Sequence, residues 1–296
     1  MSAGRRVRKA VLPVAGLGTR FLPASKAQPK EMFPLVDKPL IQYAVEEAAA
    51  SGIEDIILIT SRDKEAIEEH FDADEEFEAF LESRGKREEA EIVRQVGQLA
   101  NVISVRQKKP LGLGHAVSCA RELVGREPLA VLLPDDLIDA PIPCTKQMLE
   151  FYADHPGCVV ATKEVHGPEV ERYGVMGVEQ VEEARWGGRL FRVTAMVEKP
   201  ALAEAPSPYV VVGRYVLEPE IFDILEATPP GRGGEIQLTD ALRLYLWEHT
   251  VYAFRFEGDH LDAGTTQGLL QANVHYALKH PALGQGFREY LKSLKL

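Results

Sequence analysis

The chain has 296 residues, of which 45% are hydrophobic, and its formal net charge is −11 at pH 7. This length supports one large domain, or two small ones, with a sizeable core. The acidic balance argues against a nucleic-acid partner, because nucleic-acid binders normally carry an excess of Lys and Arg. The N-terminus lacks the apolar run of a signal peptide, and no stretch reaches the ~18 apolar residues of a membrane span. We therefore expect a cytoplasmic protein with no membrane partner.

The first half of the chain predicts alternating strands and helices. Short apolar runs predict strands at 10–14, 56–60, 102–107 and 129–133. Helices are predicted from about residue 38, from about residue 63 and after Gly112, and the charged stretch 74–98 is predicted to be helical. This alternation is typical of a mostly parallel sheet with helices on both faces, which binds ligands at the carboxyl ends of its strands.

The charged stretch 74–98 contains three large apolar residues, Phe77, Phe80 and Leu81. Their spacing predicts a stripe that is buried against the rest of the protein. The remaining charges predict a solvated face, so we assign the stretch no catalytic role.

The second half is richer in strands. Strands are predicted at 158–165, 173–181, 190–198, 209–217 and 251–256. Helices are predicted at 219–225, 238–249, 266–279 and 286–294. The sequence has no low-complexity linker and no repeat, which favours one continuous α/β domain over 1–296.

A glycine-rich turn follows the first strand. Gly16, Gly18, Thr19 and Arg20 come directly after it, and Lys26 and Lys30 follow. Glycines let backbone N–H groups approach an anion closely, and the nearby cations suit a polyphosphate. The turn is not a Walker loop, since it lacks the Lys-Ser or Lys-Thr pair, and Phe21 replaces the third glycine of the dinucleotide fingerprint.

Five segments occur in a characteristic order over roughly residues 8–280: GLGTR, PKEM, LPD, VEKP and LDAG. In this set the chain resembles the sugar-1-phosphate nucleotidylyltransferases. The segments GRYVL and GGEIQLTDA resemble particularly the uridylyltransferase branch, which joins UTP and glucose 1-phosphate. The resemblance implies a Rossmann-like fold with a mixed, mostly parallel sheet flanked by helices and a strand-rich sugar-binding lobe. It also implies a homo-oligomer, a dimer or a tetramer.

The resemblance divides the single domain into a nucleotide-binding half (about 8–140), a sugar-phosphate-binding half (about 141–270) and C-terminal helices (271–296). In the implied reaction, the phosphate of the sugar 1-phosphate attacks the α-phosphorus of the nucleotide, and pyrophosphate leaves. Catalysis then requires alignment, cationic groups and a divalent metal, for which Mg²⁺ is expected.

The implied catalytic residues are Arg20, Lys30 and Lys199. Arg20 would contact the triphosphate, since arginine presents a rigid fork to phosphate oxygens. Lys30 would lie near the transferring phosphate, and Lys199 would hold the phosphate of the sugar 1-phosphate. Read without the resemblance, Arg20 and Lys30 could also be solvated surface cations.

Two aspartates are the implied metal ligands. Asp135 follows an apolar strand, and Asp262 lies in LDAG. Magnesium takes one or two carboxylates plus substrate phosphates. Asp136 leaves an ambiguity, because adjacent residues of an extended chain point in opposite directions. An aspartate after a strand is also a common turn former.

The remaining site residues follow from the resemblance. Residues expected around the uracil base are Ala15, Gly16, Glu31, Gln107 and Gly112, and Gly18, Thr19 and Lys26 complete the nucleotide-binding loop. Residues expected around the sugar are Gly174, Glu198 and Val212. Gln107 suits base recognition because its amide carries both donors and an acceptor.

Three alternatives stay open. A thymidylyltransferase that uses dTTP would differ only in accepting one extra methyl group on the base. A regulatory subunit that binds nucleotide sugars without catalysis should have lost Arg20, Lys30, Asp135 or Asp262, and all four are present. A nicotinamide-dependent dehydrogenase is disfavoured by the absent third glycine.

Overall fold

The computed structural model describes residues 6–295, and thirteen strands lie within this range. In chain order they are β1 Lys9–Pro13, β2 Pro34–Leu35, β3 Lys38–Pro39, β4 Asp55–Thr60, β5 Asn101–Arg106, β6 Leu129–Leu132, β7 Asp136–Asp139, β8 Cys158–Glu164, β9 Gly174–Gln180, β10 Leu190–Glu198, β11 Tyr209–Leu217, β12 Val251–Arg255 and β13 Asp259–Asp262. The central strands are short apolar runs, as expected for strands that are covered on both faces.

Eleven α-helices lie in the same range. They are α1 Leu40–Ala50, α2 Glu65–Phe71, α3 Glu75–Ser83, α4 Arg87–Gly97, α5 Leu113–Ser118, α6 Arg121–Val124, α7 Cys144–Asp154, α8 Ile221–Ala227, α9 Leu238–Tyr245, α10 Thr266–Lys279 and α11 Gly284–Ser293. None of these helices is both long and apolar enough to cross a membrane.

Nine of the strands form one sheet in the order β5-β4-β1-β6-β11-β8-β12-β10-β9. The first four are parallel neighbours, and Val11 of β1 lies between Ile57 of β4 and Val131 of β6. Strand β11 is antiparallel to both β6 and β8, whereas β8 and β12 are parallel. The mixed sheet flanked by helices confirms the fold class expected from the sequence.

The core lies on both faces of this sheet. Alternate residues of β1 point to opposite faces, so that Leu12 packs with α1 and α7 residues while Val11 packs with α5, α8 and α9 residues. Both faces of the sheet are therefore covered by apolar side chains, so a binding site for polar substrates is expected at the ends of the strands.

The stripe predicted in 74–98 is wrong for two of its three residues. Phe77 and Phe80 are 46% and 52% exposed, and of the three only Leu81 is buried. The stretch is broken at Arg84–Lys86 into α3 and α4, which pack chiefly against each other and are joined by ion pairs from Arg94. A two-helix hairpin away from the sheet has too little covering surface to bury a full stripe.

One small ribbon was not predicted. Strands β7 and β13 pair antiparallel, with Asp136 opposite Asp262 and Asp139 opposite Asp259. Both strands have four residues, of which two in β7 and three in β13 are polar, so they lack the apolar pattern that reveals a strand. The ribbon matters because it brings the segment after β6 next to the segment before α10.

Candidate active site

A cavity of about 300 Å³ opens at the carboxyl ends of the parallel strands. It gathers six of the predicted site residues from five separate segments: Arg20, Asp135, Gly174, Glu198, Lys199 and Asp262. The position of the cavity agrees with the rule that ligands bind where parallel strands end.

The side chains of Asp135 and Asp262 converge on Gly264. A Cβ on this glycine would lie 3.0 Å from Asp135 Oδ2 and 3.0 Å from Asp262 Oδ1. The backbone supports the approach, since Ala263 N–H donates to Asp135 O at 2.8 Å and Gly264 N–H donates to Asp262 Oδ1 at 2.9 Å. Two carboxylates at one place, open to a phosphate-sized cavity, form a donor set that suits Mg²⁺.

The carboxylate of Asp136 is used differently. Its Oδ1 lies 2.6 Å from His260 Nε2, and its Oδ2 accepts a hydrogen bond from Gly213 N–H at 3.1 Å. Burial would raise the pKa of Asp136, but the hydrogen bond and charge of His260 outweigh it, so the pKa is lowered. The two adjacent aspartates therefore face different partners, and Asp135 is the one beside Asp262.

Lys30 reaches the same place from the loop after β1. Its Nζ lies 2.5 Å from Asp135 Oδ2, and this ion pair joins two residues that are 105 positions apart in the chain. Burial alone would lower the pKa of Lys30, but the carboxylates of Asp135 and Glu31 outweigh it, so the pKa is raised. The ammonium group is thus charged and held at the candidate metal site.

Glu31, expected near the base, is 2% exposed and forms an ion pair with Lys64 at 2.6 Å. Burial raises the pKa of the Glu31 carboxyl despite the nearby lysines, and it lowers the pKa of Lys64 despite the carboxylate. The sequence analysis did not identify Lys64, which precedes a polar helix and carries no motif. Its pairing with Glu31 is apparent only in the tertiary structure.

The glycine-rich loop lies at the end of β1. Gly18 has φ +64, and its carbonyl accepts a hydrogen bond from Ser25 Oγ at 2.7 Å. A Cβ on Gly18 would lie 3.4 Å from Lys30 Cβ, so a glycine here allows the loop to pass close to the lysine. Of the other residues predicted for this loop, Ala15 is buried, and Gly16, Thr19 and Lys26 are exposed.

Gln107 and Gly112 come together after β5. Gln107 Nε2 donates to Gly112 O at 3.2 Å and lies 2.8 Å from His115 Nδ1. Gly112 has φ +99, and a Cβ there would lie 2.7 Å from Glu235 Cβ. A side chain at position 112 would therefore both strain the backbone and collide with the loop before α9.

At the sugar end, Gly174, Glu198 and Lys199 are neighbours. Glu198 Oε1 lies 3.1 Å from Lys199 Nζ, and Glu198 Oε2 accepts a hydrogen bond from Thr239 Oγ1 at 2.8 Å. A Cβ on Gly174 would lie 3.3 Å from Glu198 Oε2. The side chain of Val212 instead packs in the core, and its neighbours Val211 and Gly213 line the cavity.

Two further residues of the cavity, Arg172 and Thr239, were missed by the sequence analysis. Arg172 Nη2 lies 2.9 Å from Asp262 Oδ2, although the residues are 90 positions apart. The available signal was weak: Arg172 directly precedes the tyrosine and glycine of YGV, and Thr239 lies within GGEIQLTDA.

A second group could hold a divalent metal. Oxygen and nitrogen atoms of Asp139, Asp259 and His275 lie within 4.8 Å of one another. Asp139 Oδ2 also accepts hydrogen bonds from His275 and Lys279, which supplies part of the charge that a metal would supply. In the β7–β13 ribbon this group lies at the opposite end from Asp262, roughly 10 Å away at 3.3 Å per residue.

A buried ion pair supports the turn that carries Asp135. Nε of Arg214 donates to both carboxylate oxygens of Glu47 at 3.1 Å, and the side chains are 1% and 8% exposed. Arg214 Nη1 donates to the carbonyls of Leu133 and Gly213, each at 2.9 Å. The pair thereby anchors the backbone two residues before Asp135.

Replacing Arg214 by alanine should lower the free energy of unfolding by about 3–5 kcal/mol, because Glu47 would be left buried without a counter-ion. Urea denaturation measures the change. Arg192→Ala is the control: Arg192 pairs with Glu179 at the surface, where both side chains are more than half exposed, and its loss should cost about 0–1 kcal/mol. Equal, small changes in the two variants would contradict a stabilising role for the buried pair.

Comparisons with known proteins agree with this geometry. The family model described as "Nucleotidyl transferase" matches residues 9–279. The chain is 47% identical over 292 residues to UTP--glucose-1-phosphate uridylyltransferase 2 of Staphylococcus saprophyticus, covering 99% of both chains. It is 46% identical to UTP--glucose-1-phosphate uridylyltransferase of Staphylococcus epidermidis, covering 99% of this chain and 100% of the relative.

Solved structures give the same result. The UTP-bound UGPase from Acinetobacter baumannii superimposes with a TM-score of 0.88 at 43% identity, covering 98% of this chain and all of that one. UDP-glucose pyrophosphorylase complexed with UDP-glucose superimposes with a TM-score of 0.83 at 41% identity, covering 93% of this chain and all of the other. The chain therefore belongs to the nucleotidyl transferase family.

Proposed function

We propose that the protein transfers the uridylyl group of UTP to α-D-glucose 1-phosphate and releases pyrophosphate. The observation that carries this function is the similarity, over nearly the full chain, to relatives and solved structures named for that activity. The cavity supports it, because residues suited to a nucleotide, to a sugar phosphate and to a metal meet there. No covalent intermediate is needed: the bond from the sugar phosphate oxygen to the α-phosphorus forms as the bond to pyrophosphate breaks.

The main task of the chain's own residues is to align two anions and offset their repulsion. We assign Arg20 to the triphosphate, Lys30 to the transferring phosphate and Lys199 to the phosphate of the sugar 1-phosphate. Backbone geometry favours this use of Lys199, since its N–H donates to Tyr173 O at 3.1 Å and its carbonyl accepts from Arg232. A lysine whose backbone is held on both sides is well placed to present its ammonium group.

We assign the metal to Asp135 and Asp262, whose carboxylates fit Mg²⁺. When bound, Mg²⁺ would reduce the negative charge of the phosphates at the point of attack. Asp136 is not assigned to the metal, because its carboxylate faces His260 and Gly213 N–H, whereas the carboxylates of Asp135 and Asp262 both approach Gly264.

The remaining residues position the base and the sugar. We assign Ala15, Gly16, Gln107 and Gly112 to the base, with Gly18, Thr19 and Lys26 in the nucleotide-binding loop. The carboxylate of Glu31 would act through its pair with Lys64. Gly174 and Glu198 are assigned to the sugar. Since the side chain of Val212 lies in the core, this residue would contribute only its backbone.

The decisive test measures pyrophosphate release from a panel of nucleoside triphosphates and sugar 1-phosphates. We expect the fastest Mg²⁺-dependent release from UTP with glucose 1-phosphate. The dTTP reaction should be slower by a modest factor, about 10- to 200-fold, since one methyl group is a small difference for a pocket to discriminate. Faster turnover of dTTP would indicate a thymidylyltransferase instead, and no release from UTP with any sugar 1-phosphate would contradict the enzyme itself.

The regulatory-subunit and thymidylyltransferase alternatives receive less support than the uridylyltransferase. A regulatory subunit without catalysis is disfavoured because Arg20, Lys30, Asp135 and Asp262 are present and adjacent to one another around the cavity. The solved structure described as a putative glucose-1-phosphate thymidylyltransferase from Bacillus anthracis is 23% identical and supports only the fold. The homo-oligomeric state, the cytoplasmic location and the division of the domain into two binding halves stay predictions.

A further inference from the structure

A cationic side chain contacts each candidate metal-binding carboxylate. Lys30 contacts Asp135 at 2.5 Å, and Arg172 contacts Asp262 at 2.9 Å. A divalent cation would need these same carboxylates. The two cations must therefore yield some or all of these contacts when a metal binds. Arg172 would then keep only a long, exposed ion pair with Glu169, at 3.8 Å.

Arg172 borders a space that would suit another anionic partner. It borders the 300 Å³ cavity and also a neighbouring cavity of about 500 Å³, whose lining includes Arg20, Lys199 and Asp262. Three cations and one carboxylate thus line this second cavity, in a chain whose net charge is −11. Once a metal occupies Asp262, the second cavity has a clear excess of positive charge and becomes suited to phosphate.

Arg172 can also exchange its contact with Asp262 for a contact with a phosphate at little cost in free energy. The two side chains are 49% and 28% exposed, so the ion pair is partly solvated and contributes little free energy. Arginine can transfer its planar fork from a carboxylate to a phosphate without changing its charge, because its pKa is far above neutral. The buried pair of Arg214 with Glu47 offers no such freedom, since both partners are enclosed.

We propose that Arg172 is an additional phosphate-binding residue that alternates between two anions. Its guanidinium pairs with Asp262, as in the structure, and it moves to a phosphate group of a substrate or product when a divalent cation takes that carboxylate. The proposal rests on the assignment of Asp262 to the metal in the function proposed above. It adds to that function a residue that couples metal binding to the binding of phosphate.

The first test uses the metal alone. Mn²⁺ prefers the same oxygen ligands as Mg²⁺, and its free ion is measured directly by electron paramagnetic resonance. Arg172→Ala should bind Mn²⁺ about three- to fivefold more tightly than the wild type, because Asp262 loses a competing partner. Arg192→Ala removes the same charge from an exposed ion pair on β10 and should leave Mn²⁺ binding unchanged.

A double variant separates the local effect from the general loss of a positive charge. If Arg172 acts through Asp262, Arg172→Ala should change Mn²⁺ binding only while Asp262 is present, and the effect should vanish in an Asp262→Asn background. Unchanged Mn²⁺ binding in Arg172→Ala, or an equal gain in Arg192→Ala, would overturn the exchange.

The second test concerns phosphate and distinguishes its two sources. With Mg²⁺ present, Arg172→Ala should weaken binding of inorganic pyrophosphate or of glucose 1-phosphate by about 10-fold, as expected for one charged hydrogen bond, and Arg172→Lys should recover part of the loss. Calorimetry with each anion shows which of them the arginine contacts. If neither anion binds more weakly, Arg172 is not a phosphate-binding residue, whatever the result of the turnover assay.

Discussion

Replacing Lys30 by alanine is expected to lower turnover by about 100-fold or more. Loss of one preorganised group that stabilises charge in a transition state typically costs about 3 kcal/mol. The structure gives this lysine the required features, because its ammonium group is largely enclosed and lies at the candidate metal site. The raised pKa of Lys30 keeps it charged throughout the neutral range. Steady-state assay of pyrophosphate release from UTP and glucose 1-phosphate measures the effect.

The control for this variant is Lys86→Ala. Lys86 forms an exposed ion pair with Glu89 near the start of α4 and does not line the cavity, so its loss should not change turnover. The melting temperature should be measured for both variants, since Lys30→Ala leaves Asp135 without its ion-pair partner. A folded Lys30→Ala protein with normal turnover would remove this lysine from the catalytic role.

Asp135→Asn and Asp262→Asn are expected to lower turnover severely and to weaken its dependence on Mg²⁺. Asparagine keeps the size of the side chain but removes the charge that attracts a hard cation. Both side chains are partly exposed, at 27% and 28%, so little stability should be lost. A structural aspartate would show the reverse, with a lower melting temperature and an unchanged metal requirement. Mg²⁺ titration of turnover together with thermal denaturation separates the two outcomes.

Asp139→Asn distinguishes the two groups that could hold a metal. Asp139 belongs to the group with Asp259 and His275, at the other end of the β7–β13 ribbon. We expect its loss to leave the Mg²⁺ titration of turnover unchanged, because Asp139 does not line the cavity and lies about 10 Å along the ribbon from Asp262. If Asp139→Asn abolished the Mg²⁺ requirement and Asp135→Asn did not, the assignment of the metal to the cavity would be wrong.

Much of the fold could be predicted from local patterns. The run Ala10–Val14 was identified as a strand because it is short and apolar, and helix α10 was placed at the bounds that the structure shows. Errors came where burial depends on distant neighbours. Phe77 and Phe80 have the spacing of a buried stripe, yet α3 packs chiefly on α4 rather than on the sheet, and both rings are exposed.

The sequence by itself determined the kinds of group at the site and the strand ends that carry them. Motifs such as GLGTR and VEKP are local, so each can be recognised from a few consecutive residues. Only the tertiary structure decided the partners: Asp135 beside Asp262, Glu31 with Lys64, and Arg172 on Asp262. These contacts depend on the order of nine strands and on a ribbon of two short, largely polar segments. Local periodicity reflects interactions within one or two turns of chain, whereas pairing across 33 or more residues is set by how the whole sheet packs.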